Sequence, residues 1–478
     1  MDSLESILGI NTQVNQQMKI AIIGSGWSGL SCAHKLKELN PETEITVFES
    51  AQNAGGRAKG FNWKISDQEI LFVDNGQHFI IGAYKNTLAL LKKTNSPEWL
   101  ENSFTWNFSK IDESQKICNR FELDLNNFFS RFFFTKNSWP KLWYFFLLLS
   151  IIIAKYKFIN DSGSAVTWLS KSFQPRLLQE VFWRPFIEST TNTGWNEASA
   201  KSIIRILKEC SINFPDSIKI YHPIENLSKN GLDYIVNDLR EKGVKFFFGK
   251  TVSSINIENN YLVCVDNKNI SYGKFDKIVI ALSTHATNRI WTKSNFSETN
   301  ESQKWKLQKT RGIYNLWVAL PKNCKRKQEI YSNNYWEIRQ LSKAHDNSLF
   351  VIVERPFSQG RIVLSVIQSA IDFGLEKNYE KNLEKIKFAA NGYLKWMFNL
   401  SLQECEYKLI SEKKATFACL SKLSDKEKLW GNVLTGKDNI WRCSDDCTHE
   451  FPSTIESAVN AGINVAKSII NKANQERH

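Results

Sequence analysis

The stretch from Lys19 to Glu49, KIAIIGSGWSGLSCAHKLKELNPETEITVFE, decides the fold of this chain. An apolar run, Lys19–Ile23, comes before three glycines, and the residues Ser28–Leu39 have the composition of a helix. Apolar and polar residues then alternate over Glu44–Glu49, as they do in a strand. The order strand, helix, strand predicts the unit that opens a parallel sheet.

The glycines of the turn, Gly24, Gly26 and Gly29, have the spacing of a dinucleotide-binding loop. The first glycine permits the tight turn, the second lets a pyrophosphate approach the backbone, and the third lets the helix pack closely on the sheet. Glu49 ends the next strand 20 positions after Gly29, where a carboxylate would accept hydrogen bonds from a ribose and repel a 2′-phosphate. This context, rather than the glycines alone, predicts a bound dinucleotide.

Gly55, Gly56 and Arg57 follow shortly after Glu49. A GGR extension at this place is typical of proteins with the glutathione-reductase type of fold, which bind FAD, and not of simple NAD dehydrogenases. The glycines would let the chain fold over the pyrophosphate, and Arg57 would bring a planar cation to the flavin side. We therefore expect FAD as the cofactor.

Further motifs resemble the flavin amine oxidase and phytoene desaturase superfamily. The resemblance implies that the turn Asn75, Gly76 and Gln77 lies against the isoalloxazine, and that Val252 lies beside the adenine.

The same resemblance implies that Asp446 reaches the ribityl chain, and that Thr454 and Ile455 begin a helix whose N-terminus faces the flavin. A glycine normally precedes that aspartate in the superfamily, but Asp445 stands there in this chain. The departure puts the local backbone geometry in question.

Three stretches resemble one subgroup, the bacterial squalene-associated flavoproteins called hydroxysqualene dehydroxylases. The stretches are DNGQHFIIGAY at Asp74–Tyr84, the segment Phe182–Pro185 with Thr191–Thr193 and Glu197–Ser199, and PSTIESAV at Pro452–Val459. The resemblance implies a step of squalene or hopanoid biosynthesis in which hydroxysqualene loses its hydroxyl group and squalene results. The partners would be an apolar isoprenoid substrate and an unidentified reductant.

His78 is the candidate catalytic residue, as the proton donor to the departing hydroxyl. The alternative is that His78 only forms a hydrogen bond with the flavin or with a backbone carbonyl. The seven histidines form no metal-binding pattern, so we expect no metal.

Two other functions remain open at this point. A phytoene-type desaturase of the same fold would use the flavin in the oxidative direction, and the sequence does not fix that direction. A protein of another class, a non-catalytic carrier of prenyl lipids like the GDI proteins, shares the fold but has lost the flavin site. Glu49, Arg57 and Asp446 are all retained here, which favours a working cofactor.

The 478 residues suit two interleaved domains of an α/β fold, a glutathione-reductase-type Rossmann domain for FAD and an α+β substrate domain. After an N-terminal extension, 1–17, the predicted FAD domain comprises 18–82, 216–295 and 436–478. The predicted substrate domain comprises 83–215 and 296–435.

An apolar segment within 131–158 is the feature that suggests a membrane. Its centre, Leu142–Ala154, would span about 20 Å as a helix, whereas a bilayer core is about 30 Å thick, so we do not expect it to cross. Basic residues border it, namely Arg131, Lys136, Lys141, Lys155 and Lys157. Such a border fits a helix lying in the membrane interface, although a buried helix of the substrate domain fits as well.

The net charge of +13 agrees with an anionic membrane surface as a partner. No arginine-rich run is present, so we expect no nucleic acid as a partner. The cysteines are odd in number and scattered, which favours free thiols in a reducing compartment. We therefore expect a cytoplasmic protein, peripheral on the inner face of the bacterial plasma membrane.

Overall fold

The computed structural model of the protein describes residues 17–97, 99–102, 105–124, 138–156, 163–327, 338–343, 348–356, 361–372, 379–421, 435–448 and 451–475. Three of the basic residues that border the apolar segment lie outside these ranges, namely Arg131, Lys136 and Lys157.

A parallel sheet of five strands forms the nucleotide-binding half. In spatial order its strands are β10 (Lys245–Phe247), β2 (Glu44–Phe48), β1 (Lys19–Ile23), β14 (Lys277–Ile280) and β20 (Ile440–Arg442). Side chains of β1 alternate between two layers, because Ile20 and Ile22 pack on one face while Ala21 and Ile23 pack on the other. Both faces are covered, as a parallel sheet requires, and the predicted α/β fold is confirmed.

Helices cover the face of the sheet that Ile20 and Ile22 occupy. They are α1 (Trp27–Leu39), α2 (Lys85–Lys93), α8 (Asp233–Glu241) and α12 (Ile455–Gln475). The C-terminal helix α12 crosses α1 so closely that a Cβ atom at Gly462 would lie 2.1 Å from the Ser31 hydroxyl. This contact joins the end of the chain to its glycine-rich beginning.

The opposite face of the parallel sheet packs against an antiparallel sheet of β11 (Val252–Glu258), β12 (Tyr261–Asp266) and β13 (Ser271–Phe275). The helices α9 (Thr284–Lys293) and α10 (Asn300–Leu307) complete this layer through Ile290, Trp291 and Trp305.

A seven-stranded sheet forms the scaffold of the second half. Its spatial order is β19 (Glu406–Phe417), β15 (Thr310–Ala319), β18 (Ile362–Ile371), β17 (Leu349–Pro356), β16 (Ile338–Lys343), β7 (Thr105–Ile111) and β8 (Ile117–Asp124). Helix α11 (Tyr379–Phe398) covers one face of it. The hairpin of β3 (Gly60–Ser66) and β4 (Glu69–Asp74) packs Trp63 and Leu71 against Trp317 of β15.

The remaining helices pack together as an apolar cluster, which we call the helical layer. They are α3 (Ser138–Tyr156), α4 (Ala165–Lys171), α5 (Arg176–Leu178), a π-helical turn (Gln179–Trp183), α6 (Arg184–Thr191) and α7 (Ala200–Ser211). Trp168 and Trp183 lie at its centre and are almost fully buried. Among the described residues, no helix has the length and apolarity needed to cross a membrane.

A small sheet of β5 (Ile80–Ile81), β9 (Ile220–His222) and β6 (Leu100–Asn102) connects the two halves. The predicted domain division placed helix α2 in the substrate domain, but α2 packs on the nucleotide-binding half. Its residues Leu90 and Leu91 pack with Ile20 of the parallel sheet, and Glu456 of α12 accepts hydrogen bonds from the backbone N–H groups of Asn86 and Thr87. The nucleotide-binding core therefore extends beyond residue 83.

Candidate functional site

A cavity of about 430 Å³ lies beyond the carboxyl end of β1, between the parallel sheet, strand β19 and the start of α12. Most of the sequence-predicted site residues line it: Gly24, Gly26, Glu49, Gly55, Gly56, Arg57, Asn75, Gly76, His78, Thr454 and Ile455. The other predicted residues lie outside its wall: Gly29, Gln77, Val252 and Asp446.

At two glycines of the first turn, the surrounding backbone leaves no room for a side chain. Gly24 has a φ of +109°, and a Cβ atom there would lie 2.6 Å from the carbonyl oxygen of Ala281. A Cβ atom on Gly29 would lie 2.1 Å from the carbonyl oxygen of Gly24. The lack of a side chain at Gly29 lets α1 lie close to the turn at Gly24, and its predicted part in binding the cofactor stays a prediction.

Gly26 is different, because the protein leaves room beside it. The nearest atom to a Cβ on Gly26 would be the Cα of Gly56, 3.8 Å away, so the fold alone would tolerate a side chain. Both glycines line the cavity, where a side chain on Gly26 would fill the space a ligand needs. A pyrophosphate approaching the backbone fits this open cradle at the N-terminus of α1.

Glu49 is a buried carboxylate on the cavity wall. Its Oε2 accepts hydrogen bonds from the backbone N–H and the hydroxyl of Ser25, each at 2.9 Å. Its Oε1 accepts from the Ala51 N–H at 2.9 Å and from the Ser50 hydroxyl at 3.2 Å. A ribose could take the place of either rotatable hydroxyl, so the predicted ribose contact is compatible with this geometry.

Arg57 forms an ion pair with Asp445, the residue that replaces the usual glycine. The hydroxyls of Ser444 and Ser453 also donate to the Asp445 carboxylate, and Arg57 donates a second hydrogen bond to the Ala415 carbonyl at 3.1 Å. Burial opposes the charged form of Asp445, but the guanidinium and the hydroxyls outweigh it and hold the pKa of Asp445 below its ordinary value. The departure from the superfamily pattern therefore places a paired carboxylate on the cavity wall.

Asp446, to which the sequence assigned the cofactor contact, turns away from the cavity. Its Oδ1 accepts a hydrogen bond from Arg442 at 2.7 Å, and both side chains are almost fully buried. The 3₁₀ turn Asp445–Cys447 sends the two adjacent carboxylates in different directions, so the side chain on the wall is Asp445. Asp446 is the counter-ion of a buried arginine, and its predicted contact with the ribityl chain stays a prediction.

Asn75 connects the turn Asn75–Gln77 to the loop that contains Gly55, Gly56 and Arg57. Its amide nitrogen donates to the Arg57 carbonyl at 2.7 Å, and its Oδ1 accepts from the Lys59 N–H at 3.1 Å. Nε2 of His78 lies 3.2 Å from the same Oδ1. Since that oxygen can only accept, the contact favours the tautomer in which Nε2 of His78 carries the proton.

His78 lines the cavity and is largely enclosed by the protein. Burial lowers the pKa of His78 to about 4, so the ring is neutral at neutral pH. A neutral ring can orient a hydroxyl or accept a proton at Nδ1. Burial therefore disfavours the imidazolium form, which is the form of His78 that would donate a proton to the departing hydroxyl.

Gln77 lies between two residues of the cavity wall but does not itself line the cavity. Both polar atoms of its amide are buried, and they have no hydrogen-bond partner within the part of the chain that the structure describes. A buried, unsatisfied amide is costly unless a ligand supplies its partners. Its predicted contact with the cofactor stays a prediction.

The start of α12 forms the last wall of the cavity through Thr454 and Ile455. The Ser457 N–H donates to the Thr454 hydroxyl at 3.1 Å, and the Thr454 N–H donates to the Ser457 hydroxyl at 2.9 Å, as in an N-terminal cap. The positive end of the helix dipole thus points at the cavity, which suits an electron-rich ligand.

Val252 packs in the core with Phe48 and Ile255, so its predicted place beside an adenine stays a prediction. The sequence analysis missed the contribution of β19, whose residues Glu412, Ala415 and Thr416 line the cavity. No local motif marks these residues, because only the folded chain brings β19 to the glycine turns.

The residues of the cavity fit FAD. An open glycine cradle, a carboxylate held by serines and a helix N-terminus occur in one cleft. The cradle would hold the pyrophosphate, Glu49 a ribose and the start of α12 the flavin.

Comparison with known proteins extends this result. The model of the family described as flavin containing amine oxidoreductase matches residues 27–339. The 15-cis-phytoene desaturase of Synechococcus elongatus is 36% identical over 93 residues, which are 19% of this chain and 18% of that protein. The protoporphyrinogen oxidase of Saccharomyces cerevisiae is 29% identical over 80 residues, which are 17% of this chain and 15% of that protein. The chain thus matches less than a fifth of the length of these relatives.

Among solved structures, an oxidoreductase from Methanosarcina mazei is similar over 94% of this chain and 100% of its own, with a TM-score of 0.69 and 14% sequence identity. At this identity the likeness shows the fold alone, which agrees with the cleft described above.

Proposed function

We propose that this chain, which belongs to the family of flavin-containing amine oxidoreductases and uses FAD, is an oxidoreductase of hydroxysqualene. It would remove the hydroxyl group of this substrate to give squalene. The substrate would be a C30 isoprenoid and the reaction reductive. Such a reaction would be a step of squalene or hopanoid biosynthesis.

The reaction replaces an allylic C–OH bond by a C–H bond. It consumes a hydride and a proton and releases water. Departure of an allylic hydroxyl leaves a delocalised cation, so the carbon can accept a hydride. FAD, when bound and reduced, would supply the hydride. The electrons come from a reductant that we have not identified.

The observation that carries the proposal is the apolar surrounding of His78. His78 lines the cavity, and two residues close to it in the chain, Phe79 and Ile81, pack against the helical layer. This layer is built of aromatic and aliphatic side chains, including Phe182 and Trp183. An apolar chain of a C30 substrate would find an environment of matching polarity there.

His78 would orient the substrate hydroxyl in this environment. With Nε2 directed at Asn75, the ring presents Nδ1 as a hydrogen-bond acceptor. The low pKa of His78 keeps the ring neutral, so it would hold the hydroxyl by a hydrogen bond without adding charge beside the cavity. The proton that leaves with the oxygen would come from solvent or from a neighbouring group.

A phytoene-type desaturase is the second candidate, and the stretch shared with the phytoene desaturase supports it. In that case the same cleft would serve the oxidative direction. A carrier of prenyl lipids without a cofactor is disfavoured, since the open cradle at Gly26 and the carboxylate of Glu49 are intact.

Product analysis separates these functions. The FAD-loaded protein, reduced chemically under anaerobic conditions, is incubated with hydroxysqualene, and the lipid extract is examined for squalene. Parallel samples contain oxidised protein with phytoene or with squalene. Squalene from the first sample supports the proposal. Desaturated products from the others, with no squalene from the first, would establish the desaturase instead.

A further inference from the structure

Helix α3 is apolar on both of its faces. Tyr144, Leu147 and Ile153 are buried in the helical layer, as expected for a packed helix. On the other side, however, Leu142 is 42% exposed and Phe145 48% exposed. Ile152 and Tyr156 continue this exposed side along the helix. A helix at a water-facing surface normally carries polar side chains there, so a second apolar face needs a partner.

The turn between α4 and α5 extends this surface. Phe173 is 76% exposed, and its φ of +57° lies in the left-handed region, which phenylalanine adopts at a cost. Leu177, in the following helix, is 53% exposed. Neither side chain is used in the core, although both are large and apolar.

The turn is held rigidly beside α3. The amide nitrogen of Gln174 donates to the Phe146 carbonyl at 3.0 Å, and its amide oxygen accepts from the Trp183 indole at 2.9 Å. These bonds place the turn next to the middle of α3, where Phe145 points outward. We call this continuous surface of Leu142, Phe145, Ile152, Tyr156, Phe173 and Leu177 the outer apolar face.

The charged side chains that the described residues of α3, α4 and α5 carry are basic. Neither Ser138–Tyr156 nor residues 163–179 contain an aspartate or a glutamate. Lys155, Lys171 and Arg176 are exposed beside the apolar side chains. Glu180, at 3.4 Å from Arg176, is the first acidic residue to follow.

We propose that the outer apolar face docks the protein on a bilayer that contains anionic phospholipids, with Phe173 and Leu177 entering between the headgroups. Apolar side chains with a basic border match such a surface. A second copy of the chain would instead bring the same lysines and arginine together across a symmetric interface, where they repel.

This docking extends the proposed function, because a C30 hydrocarbon resides in the bilayer. The inward side of α3 belongs to the same apolar cluster as Phe79 and Ile81, the neighbours of His78. Docking through the outer apolar face would therefore bring the apolar layer that contacts Phe79 and Ile81 against the bilayer in which the substrate resides.

Flotation of the FAD-loaded protein with vesicles tests the docking. The vesicles contain phosphatidylcholine with phosphatidylglycerol, or phosphatidylcholine alone. We expect the protein to float with the anionic vesicles. The double variant Phe173→Asn and Leu177→Glu should lower binding by about tenfold or more, since two apolar anchors are lost. Asparagine tolerates positive φ, so the turn is retained, and bound FAD reports that the variant folds.

The control is Ile257→Glu, because Ile257 is 51% exposed in β11 and lies outside the face. It should bind like the unchanged protein. Lys171→Gln with Arg176→Gln should reduce binding to the anionic vesicles only. No flotation of the unchanged protein, or unaltered flotation of the Phe173 and Leu177 variant, would overturn the inference. A dimer in sedimentation that this variant abolishes would also overturn it, in favour of a second copy.

These outcomes are distinct from those of the proposed function. Squalene formation in detergent micelles by a protein that does not float would refute the docking alone. Flotation without squalene formation would refute the proposed reaction alone.

Discussion

The FAD cleft and the outer apolar face depend on the sequence in different ways. In the cleft single atoms matter: a Cβ on Gly24, which lines the cavity, would lie 2.6 Å from the carbonyl oxygen of Ala281. On the outer apolar face the side chains contact little protein, and Phe173 is 76% exposed. The cleft is therefore specified residue by residue, whereas the face is specified by its polarity.

The largest loss of stability should follow from Asp446→Asn. This change leaves Arg442 charged and buried without its counter-ion, and we expect the free energy of unfolding to fall by about 3–5 kcal/mol. Urea unfolding followed by tryptophan fluorescence measures it.

Asp445→Asn is the matched control for that variant. Since 37% of the side chain of its partner Arg57 is exposed, the loss should stay within about 1 kcal/mol. Equal losses from the two neighbouring aspartates would contradict their different roles.

Gly29→Ala should be the next most severe change. The added methyl group pushes α1 away from Gly24 and Ala281, at a cost of about 1–3 kcal/mol or more. We expect the purified variant to contain little FAD, as measured by its flavin absorption per mole of protein. Gly194→Ala, where a Cβ atom meets nothing within 4 Å, should retain full FAD content. Full FAD content in the Gly29→Ala variant would contradict the requirement for a close approach of α1 to Gly24.

His78→Gln should lower turnover of hydroxysqualene by about 10²-fold while FAD stays bound, because the substrate hydroxyl loses the hydrogen bond that orients it. His34→Gln, a change of a buried histidine in α1 away from the cavity, is the control and should leave turnover per bound FAD unchanged. Turnover of the His78 variant close to that of the unchanged protein would remove His78 from the mechanism.

The pH dependence of stability tests the burial of His78. Its pKa is lowered to about 4 from 6.5, so the unfolded chain takes up a proton in this range that the folded protein does not. The unchanged protein should therefore lose stability relative to His78→Gln as the pH falls from about 6.5 towards 4. A constant difference between the two proteins would show that His78 is not shielded from solvent.

The smallest effect should come from the outer apolar face. Phe145→Ala should lower the free energy of unfolding by only about 1 kcal/mol, because nearly half of the side chain is exposed. Leu147→Ala, on the inward side of the same helix, should cost about 2–5 kcal/mol. A large loss from Phe145→Ala would show that this face is packed against protein.

The same contrast explains what the sequence could predict. The glycine turn and the parallel sheet follow local rules of sterics and periodicity, so Gly24, Gly29 and the strand at Lys19–Ile23 were predictable. Asp445 was not, because it meets Arg57 only in the folded chain. Nor could the sequence show which side of α3 faces outward, since its apolar residues surround the helix.

The proposed reaction is tested most directly by an anaerobic titration of the reduced, FAD-loaded protein with hydroxysqualene. We predict that the oxidised flavin band returns as squalene forms, with one squalene for each flavin oxidised. A flavin that stays reduced while the substrate remains unchanged would contradict the proposed function.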